Sequence, residues 1–193
     1  MQTTRVPRQS VSSEKVGAAL EKAGWLRDVA GDADFRNASA AVSTAMLEGR
    51  GMLITGAAGC GKTALLHAIM KCMPTCDGIF MYCKDPEAIS TMRNCADWLA
   101  SKTLFVDDLG AEPILHEYGN IVDVVGDAIQ SYHYRGTRRM FITSNLNSVQ
   151  INERYGGRVF DRIMEMCVVL RLNGASKRRR VIYGAEKQDR QGA

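Results

Sequence analysis

Short apolar runs and longer mixed segments alternate along most of this chain. The apolar runs are rich in β-branched, aliphatic and aromatic residues, which is typical of buried strands. They predict five strands, at 52–55, 79–83, 104–106, 140–143 and 167–172. The segments between them are long enough for helices, and this alternation indicates parallel strands with crossover helices on both faces. We therefore predict one α/β domain of three layers.

Helices are predicted by capping residues and by apolar spacing. Ser12 or Ser13 caps a short helix that stops near Gly24, and a second helix fits 37–48. A third is predicted over 117–134, because apolar side chains recur there about every 3.6 residues. The residues on that face are Ile121, Val125, Ala128, Ile129 and Tyr132.

Composition places the chain among ordinary globular proteins, with 193 residues, 46% apolar and 24% charged. Its 25 basic and 21 acidic residues are unevenly distributed, since the last 18 residues hold six basic and two acidic ones. We divide the chain into a polar segment with a short helix at 1–35, a body at 36–175 and a basic tail at 176–193. The tail suits either a DNA backbone, by counterion release, or a solvated terminus.

The six cysteines form no CxxC pair and no zinc-like cluster with histidine. The first residues lack the apolar run of a secretory signal. No window approaches the roughly 18 apolar residues that span a bilayer. These observations predict reduced thiols, a cytoplasmic location and no membrane partner.

A glycine-rich loop directly follows the first predicted strand. Its residues are Gly56, Ala57, Ala58, Gly59, Cys60, Gly61, Lys62 and Thr63, and Ala64 continues into a helical run. This is the phosphate-loop pattern GxxxxGK[ST] between a strand and a helix. Its glycines let backbone N–H groups turn towards an anion at a helix N-terminus. We expect Lys62 to reach the β- and γ-phosphates of ATP and the Thr63 hydroxyl to bind Mg²⁺.

Polar residues end the third and fourth predicted strands. Asp107 is suited to hold magnesium through water, and Asp108 to orient or deprotonate the attacking water. Glu112 is a second candidate base, or else a carboxylate of a loop or of a helix start. Asn145 ends the fourth strand, where its amide would touch the γ-phosphate or the water, or else would cap a helix.

Six segments of the chain together resemble the bacterial DnaC-type helicase loaders and the related IstB-type transposition ATPases of the AAA+ class. The segments are GAAGCGKT, LFVDDLGAEP, EYGN, FITSNLN, RYGGRVFDRIMEM and SKRRR. The resemblance runs from about Phe35 to Arg180. It implies a five-stranded parallel sheet with the phosphate loop on a central strand. The tail from residue 176 is too short to build the separate helical lid that many AAA+ proteins carry, so we expect an AAA+ core that lacks a full lid. The resemblance also implies a homo-oligomer that binds ATP and Mg²⁺ and acts on single-stranded DNA, a replicative helicase or a transposase.

The resemblance assigns a role to each matching residue of the nucleotide site. Lys62 and Thr63 look like Walker A residues, Asp107 and Asp108 like Walker B, and Asn145 like sensor 1.

Two arginines complete the set that the resemblance implies. Arg162 resembles the arginine that reaches a neighbouring subunit's γ-phosphate, and Arg178 resembles the sensor 2 arginine of the same subunit. A guanidinium suits both tasks because it spreads positive charge over phosphate oxygens. The alternative for Arg162 is a salt bridge on its own helix, to Asp161 or Glu165. Arg158 is the reserve candidate.

Three functions compete at this point. The first is a DnaC-like ATPase of DNA replication or transposition, with weak hydrolysis in the absence of its partner. The second is a small-molecule kinase, because such enzymes also use phosphate loops. The third is an ATP-gated binding adaptor with negligible turnover, which the short Asp108 side chain allows.

Overall fold

The structure is a computed structural model that describes residues 13–22, 32–73, 78–94, 101–117, 120–135 and 139–174. The predictions about Arg178 and the tail 176–193, including the missing lid, lie outside these residues. Within the described ranges, no helix has the length and apolar character needed to cross a membrane.

Helices and strands alternate along much of the described chain, as the hydrophobic pattern predicts. In chain order they are α1 (Ser13–Lys22), α2 (Asp32–Glu48), β1 (Gly51–Gly56), α3 (Lys62–Cys72), β2 (Gly78–Tyr82), α4 (Pro86–Asn94), β3 (Thr103–Leu109), β4 (Leu115–Glu117), β5 (Asn120–Val122), α5 (Val124–Tyr134), β6 (Arg139–Ser144), α6 (Ser148–Met166) and β7 (Cys167–Leu172).

Five strands form one parallel sheet in the order β2-β3-β6-β1-β7. Each corresponds to one of the predicted apolar runs, so the α/β fold class and the five-stranded parallel sheet are confirmed, whereas the short strands β4 and β5 were not predicted. The phosphate loop follows β1, an inner strand flanked by β6 and β7. This order matters for the site because it sets the ends of β3, β6 and β1 side by side.

The sheet is the middle of three layers. Alternate residues of each strand point to opposite faces, so each face acquires its own core. One core packs α1, α2 and α3 against side chains such as Ile54 and Phe105. The other packs α4, α5 and α6 against Leu53 and Val106. The predicted three-layer arrangement is therefore present.

The helix predicted over 117–134 begins later than its apolar spacing indicates. Residues 115–117 and 120–122 instead form the antiparallel pair β4–β5, so Ile121 belongs to a strand. The helix starts at Val124 because the Asp123 carboxylate accepts a 2.8 Å hydrogen bond from Gly126 N and caps it. Apolar spacing alone could not locate this cap.

The second helix, predicted over 37–48, begins five residues earlier. Asp34, in its first turn, is buried and accepts hydrogen bonds from the backbone N–H groups of Asn173 (3.2 Å) and Gly174 (2.7 Å). An acidic side chain near a helix N-terminus is favourable, and here it also ties the helix to the residues that follow β7.

Gly51 offers a test of the packing between the central strands. A Cβ at this position would lie 1.9 Å from the Met140 carbonyl oxygen of β6. We expect Gly51→Ala to lower the free energy of unfolding by about 3 kcal/mol, because backbone rather than a flexible side chain must move. Gly157→Ala is the control, since its Cβ would lie 3.6 Å from Asn152 Oδ1. It should change stability by no more than about 1 kcal/mol. Equal urea midpoints for the two variants would contradict this prediction.

Candidate functional site

The loop between β1 and α3 has the backbone that a phosphate cradle requires. Gly56, Gly59 and Gly61 have φ values of 150°, 84° and 101°, which residues with a Cβ rarely adopt. A Cβ on Gly56 would also lie 2.4 Å from the Leu172 carbonyl oxygen. The loop therefore keeps its curled shape only with glycine at these positions.

The N-terminus of α3 differs from those of α5 and α6. Asp123 and Asn147 cap α5 and α6 with their side chains, whereas no side chain caps α3. The first N–H groups of a helix lack acceptors within the helix, and the helix dipole there favours an anion. This end of α3 and the loop before it suit a phosphate group.

Lys62 connects the phosphate loop to the end of β6. Its ammonium donates to the carbonyl oxygens of Gly56 and Ala57, both at 2.8 Å, and to Asn145 Oδ1 at 2.7 Å. Only 5% of the residue is exposed. The structure therefore brings the predicted Walker A lysine and the predicted sensor 1 residue into direct contact.

Asp107 is buried at the end of β3, beside α3. The Thr63 hydroxyl donates to its Oδ1 at 2.9 Å, and the Thr143 hydroxyl donates to the same oxygen at 2.7 Å. Hydroxyl and carboxylate oxygens are ligands that Mg²⁺ prefers, and Mg²⁺ typically takes only one or two from the protein beside water and phosphate oxygens. The pair Thr63 and Asp107 fits such an ion.

Thr143 is a residue that sequence reasoning missed. Besides donating to Asp107, its Oγ1 accepts a 2.8 Å hydrogen bond from Asp108 N, so one hydroxyl orients both aspartates. The signal that could have found it is the TSN triplet, because a threonine that ends a strand beside β3 faces the acidic pair.

Asp108 has a strained backbone, with a φ of 59° in the left-handed region. The register of β3 against β6 shifts between Val106 and Leu109, so Asp108 lies in this irregularity. Its Oδ2 pairs with Lys84 Nζ at 2.5 Å, and its Oδ1 accepts from Asn145 Nδ2 at 3.3 Å. The sequence did not single out Lys84, because nothing local relates it to Asp108.

Glu112, the second candidate base, is held in a structural network. Its carboxylate accepts from Gly110 N at 2.9 Å, from Arg154 Nη2 at 3.1 Å and from the Tyr155 hydroxyl. Its side chain is 8% exposed. Burial, reinforced by this nearby carboxylate, raises the pKa of Tyr155 above its ordinary value, so the phenol stays a neutral donor. The alternative of a loop carboxylate matches this environment.

Asn145 does not cap the helix that follows it. Asn147 does so, because its Oδ1 accepts from Gln150 N at 3.0 Å and Gln150 Oε1 accepts from Asn147 N at 2.9 Å. The Asn145 amide is thus available to the site, where it contacts both Lys62 and Asp108.

A pocket of about 320 Å³ joins these parts, and Lys84 lines it together with the loop, Asp108 and Asn145. Its remaining lining residues are Ala58, Gly59, Gly61, Lys62, Thr63 and Ala64. The ammonium groups of Lys62 and Lys84 and the carboxylate of Asp108 therefore meet in this pocket. The excess of positive charge suits a polyanion.

Arg162 lies away from this pocket, on α6. Its Nη1 donates to Glu165 Oε2 at 2.8 Å and lies 3.5 Å from His133 Nε2. Hydrogen bonds from Arg162 and His133 lower the pKa of Glu165. Arg162 and the reserve candidate Arg158 line a separate surface pocket. The salt bridge to Glu165 is therefore present in the single chain, and the action of Arg162 on a neighbouring subunit stays a prediction.

The family model of the viral superfamily 1 RNA helicase core domain matches residues 52–177, more than half of the chain. The chain belongs to this family. The match begins in β1 and includes the phosphate loop, both aspartates and Asn145. No curated protein matches the chain.

Solved structures of replication proteins share the fold. Domain III of DnaA from Thermotoga maritima is 17% identical, with a TM-score of 0.54 over 76% of this chain and 63% of that one. A putative primosome component from Streptococcus pyogenes serotype M3 is also 17% identical, with a TM-score of 0.51 over 92% and 88%. A DnaA bound to AMPPCP and single-stranded DNA is 14% identical, with a TM-score of 0.54 over 81% and 50%. This helicase-core family member thus spans about half to two thirds of the DnaA chains and shares the α/β fold of these structures.

Proposed function

We propose that this protein binds ATP with Mg²⁺ and hydrolyses it to ADP and phosphate. The observation that carries the proposal is the contact between the phosphate loop and the ends of two other strands. Lys62 contacts Asn145 of the β6 end, and Thr63 contacts Asp107 of the β3 end. Burial of charged groups such as the Lys62 ammonium and the Asp107 carboxylate is costly. A glycine-rich turn that binds no nucleotide would gain nothing from this cost.

Each side chain of this cluster has a definite task in the proposed reaction. Thr63 and Asp107 would hold Mg²⁺, which neutralises charge on the phosphates. Lys62 would bind the β- and γ-phosphates, and Asn145 would position the terminal phosphate or the water. Asp108 would orient that water and accept its proton.

We further propose that hydrolysis drives the assembly of a replication or transposition complex. The fold neighbours include a DnaA bound to single-stranded DNA and a putative primosome component. We infer that the partner of a cytoplasmic homo-oligomer is single-stranded DNA, a replicative helicase or a transposase, and the neighbour bound to single-stranded DNA supports the first of these. The partly exposed position of Arg162 supports the oligomer, because an arginine on an outer helix face can reach a second copy.

The test measures nucleotide binding and phosphate release by the full chain. We expect ATP and ADP to bind in the presence of Mg²⁺, and single-stranded DNA or a replicative helicase to raise a weak basal hydrolysis. Lys62→Met should weaken ATP binding at least about tenfold, because a buried ammonium is lost from the phosphate site.

Three results would contradict the proposal. Failure to bind ATP would exclude a nucleotide site. Phosphate that appears on a small acceptor instead of in water would indicate a kinase. Tight binding without phosphate release, whichever partner is added, would indicate a nucleotide-gated adaptor. Stimulation by single-stranded RNA in place of DNA would redirect the partner assignment and leave the ATPase intact.

A further inference from the structure

Lys84 is a second cation of the nucleotide pocket. It follows β2, on the far side of β3 from the phosphate loop, and its ammonium pairs with Asp108 Oδ2 at 2.5 Å. Together with Lys62 it lines the 320 Å³ pocket. The P-loop pattern accounts for Lys62 but not for Lys84.

The backbone around Lys84 is held on both sides. Cys83 is buried, and its N–H donates to the Asp107 carbonyl oxygen at 3.0 Å. Asp85 N donates to the Tyr82 carbonyl oxygen at 3.0 Å, and the Asp85 carboxylate accepts from Glu87 N at 3.0 Å at the start of α4. The base of the Lys84 side chain therefore has a fixed position relative to the acidic pair.

The two side chains of this ion pair, Lys84 and Asp108, differ in solvent exposure. The Lys84 side chain is 61% exposed, whereas the Asp108 side chain is 15% exposed. Lysine is a long and flexible side chain with three donors. The ammonium can therefore move to another acceptor in the pocket while Asp108 stays in place, held through its backbone by Thr143.

One continuous chain of contacts crosses the pocket, from Lys62 to Asn145, then to Asp108, then to Lys84. A triphosphate that enters brings several negative charges between the two ammonium groups. It then competes with the single carboxylate of Asp108 for Lys84, and charge-assisted hydrogen bonds to phosphate are among the strongest available. A diphosphate lacks the terminal group that would make this exchange favourable.

We propose that Lys84 recognises the terminal phosphate of a bound nucleoside triphosphate and leaves Asp108 when it does so. This inference rests on the proposed function. In the structure, the Lys84 ammonium donates to Oδ2 of Asp108, and this oxygen is therefore not available to accept a hydrogen bond from the attacking water. Transfer of the ammonium to the terminal phosphate exposes that oxygen, so the same movement senses the triphosphate and readies the carboxylate for the attacking water.

The decisive measurement is the ratio of the dissociation constants for ADP and AMPPCP, both with Mg²⁺. We expect Lys84→Met to weaken AMPPCP binding about tenfold or more and to leave ADP binding within about twofold of the wild type. Lys84→Arg should keep the preference for the triphosphate, because it retains the charge. Lys102→Met is the matched control, since Lys102 lies at the opposite end of β3 and its loss removes the same charge.

A second variant tests whether Lys84 binds the terminal phosphate or only holds Asp108 in place. Asp108→Asn removes the competing carboxylate, so AMPPCP should bind several-fold more tightly, and Lys84→Met in that background should still cost about tenfold. An unchanged ADP-to-AMPPCP ratio in Lys84→Met would overturn the proposal. So would faster hydrolysis by Lys84→Met, because it would mean that Lys84 only restrains Asp108. If the wild type binds neither nucleotide, the proposed function fails instead.

Discussion

Asp108→Asn is expected to reduce the rate of ATP hydrolysis about 10²- to 10⁴-fold while ATP still binds. Asparagine has nearly the shape of aspartate but cannot accept the proton of the attacking water. It also tolerates the left-handed backbone that Asp108 adopts at φ 59°, so the fold should be unaffected. Single-turnover phosphate release at saturating ATP, together with nucleotide affinity, measures the two effects separately.

Glu112→Gln is the matched control for that experiment. It removes the other carboxylate proposed as a base, but this one accepts from Gly110, Arg154 and Tyr155. We expect it to lower the free energy of unfolding by about 1–3 kcal/mol and to reduce hydrolysis far less than Asp108→Asn does. If the larger loss of hydrolysis belongs to Glu112→Gln, the base has been misassigned.

Arg162→Ala is the second change with a large expected effect, a loss of about 10³-fold in hydrolysis with nucleotide binding retained. In the single chain, the Arg162 guanidinium contacts Glu165 and His133, on the surface of α6 and away from the phosphate loop. Any large effect on hydrolysis must therefore pass through a second copy of the chain. Steady-state hydrolysis as a function of protein concentration measures it.

A mixing experiment gives this prediction a sharp control. The Arg162→Ala chain keeps Asp108, and the Asp108→Asn chain keeps Arg162, so a neighbouring pair contains one complete site. We expect each variant alone to be almost inactive and an equimolar mixture to recover a measurable part of the wild-type rate. Arg158→Ala should hydrolyse ATP nearly normally. No recovery on mixing, or normal hydrolysis by Arg162→Ala, would show that Arg162 does not act between subunits.

Local sequence patterns predicted the elements of this fold well, for a physical reason. A buried strand needs a short apolar run and a phosphate loop needs glycines at left-handed positions, so both are visible within a few residues. The run at 167–172 coincides with β7, and the phosphate-loop pattern from Gly56 to Thr63 joins the end of β1 to the start of α3. The predicted start of the helix over 117–134 was wrong. The helix begins at Val124, because the side chain of Asp123 caps it there although the apolar spacing begins earlier.

The sequence by itself therefore determined the five strands, the phosphate loop and the acidic pair, since each depends on neighbours along the chain. Only the tertiary structure decided how these parts meet. Because β6 lies between β3 and β1, Thr143 orients both aspartates and Asn145 joins Lys62 to Asp108. The position of Lys84 in the site depends on the pairing of β2 with β3. This pairing brings the Lys84 ammonium to 2.5 Å from the carboxylate of Asp108, which is 24 positions away along the chain. Such contacts arise from the packing order of strands, and no local pattern of residues encodes that order.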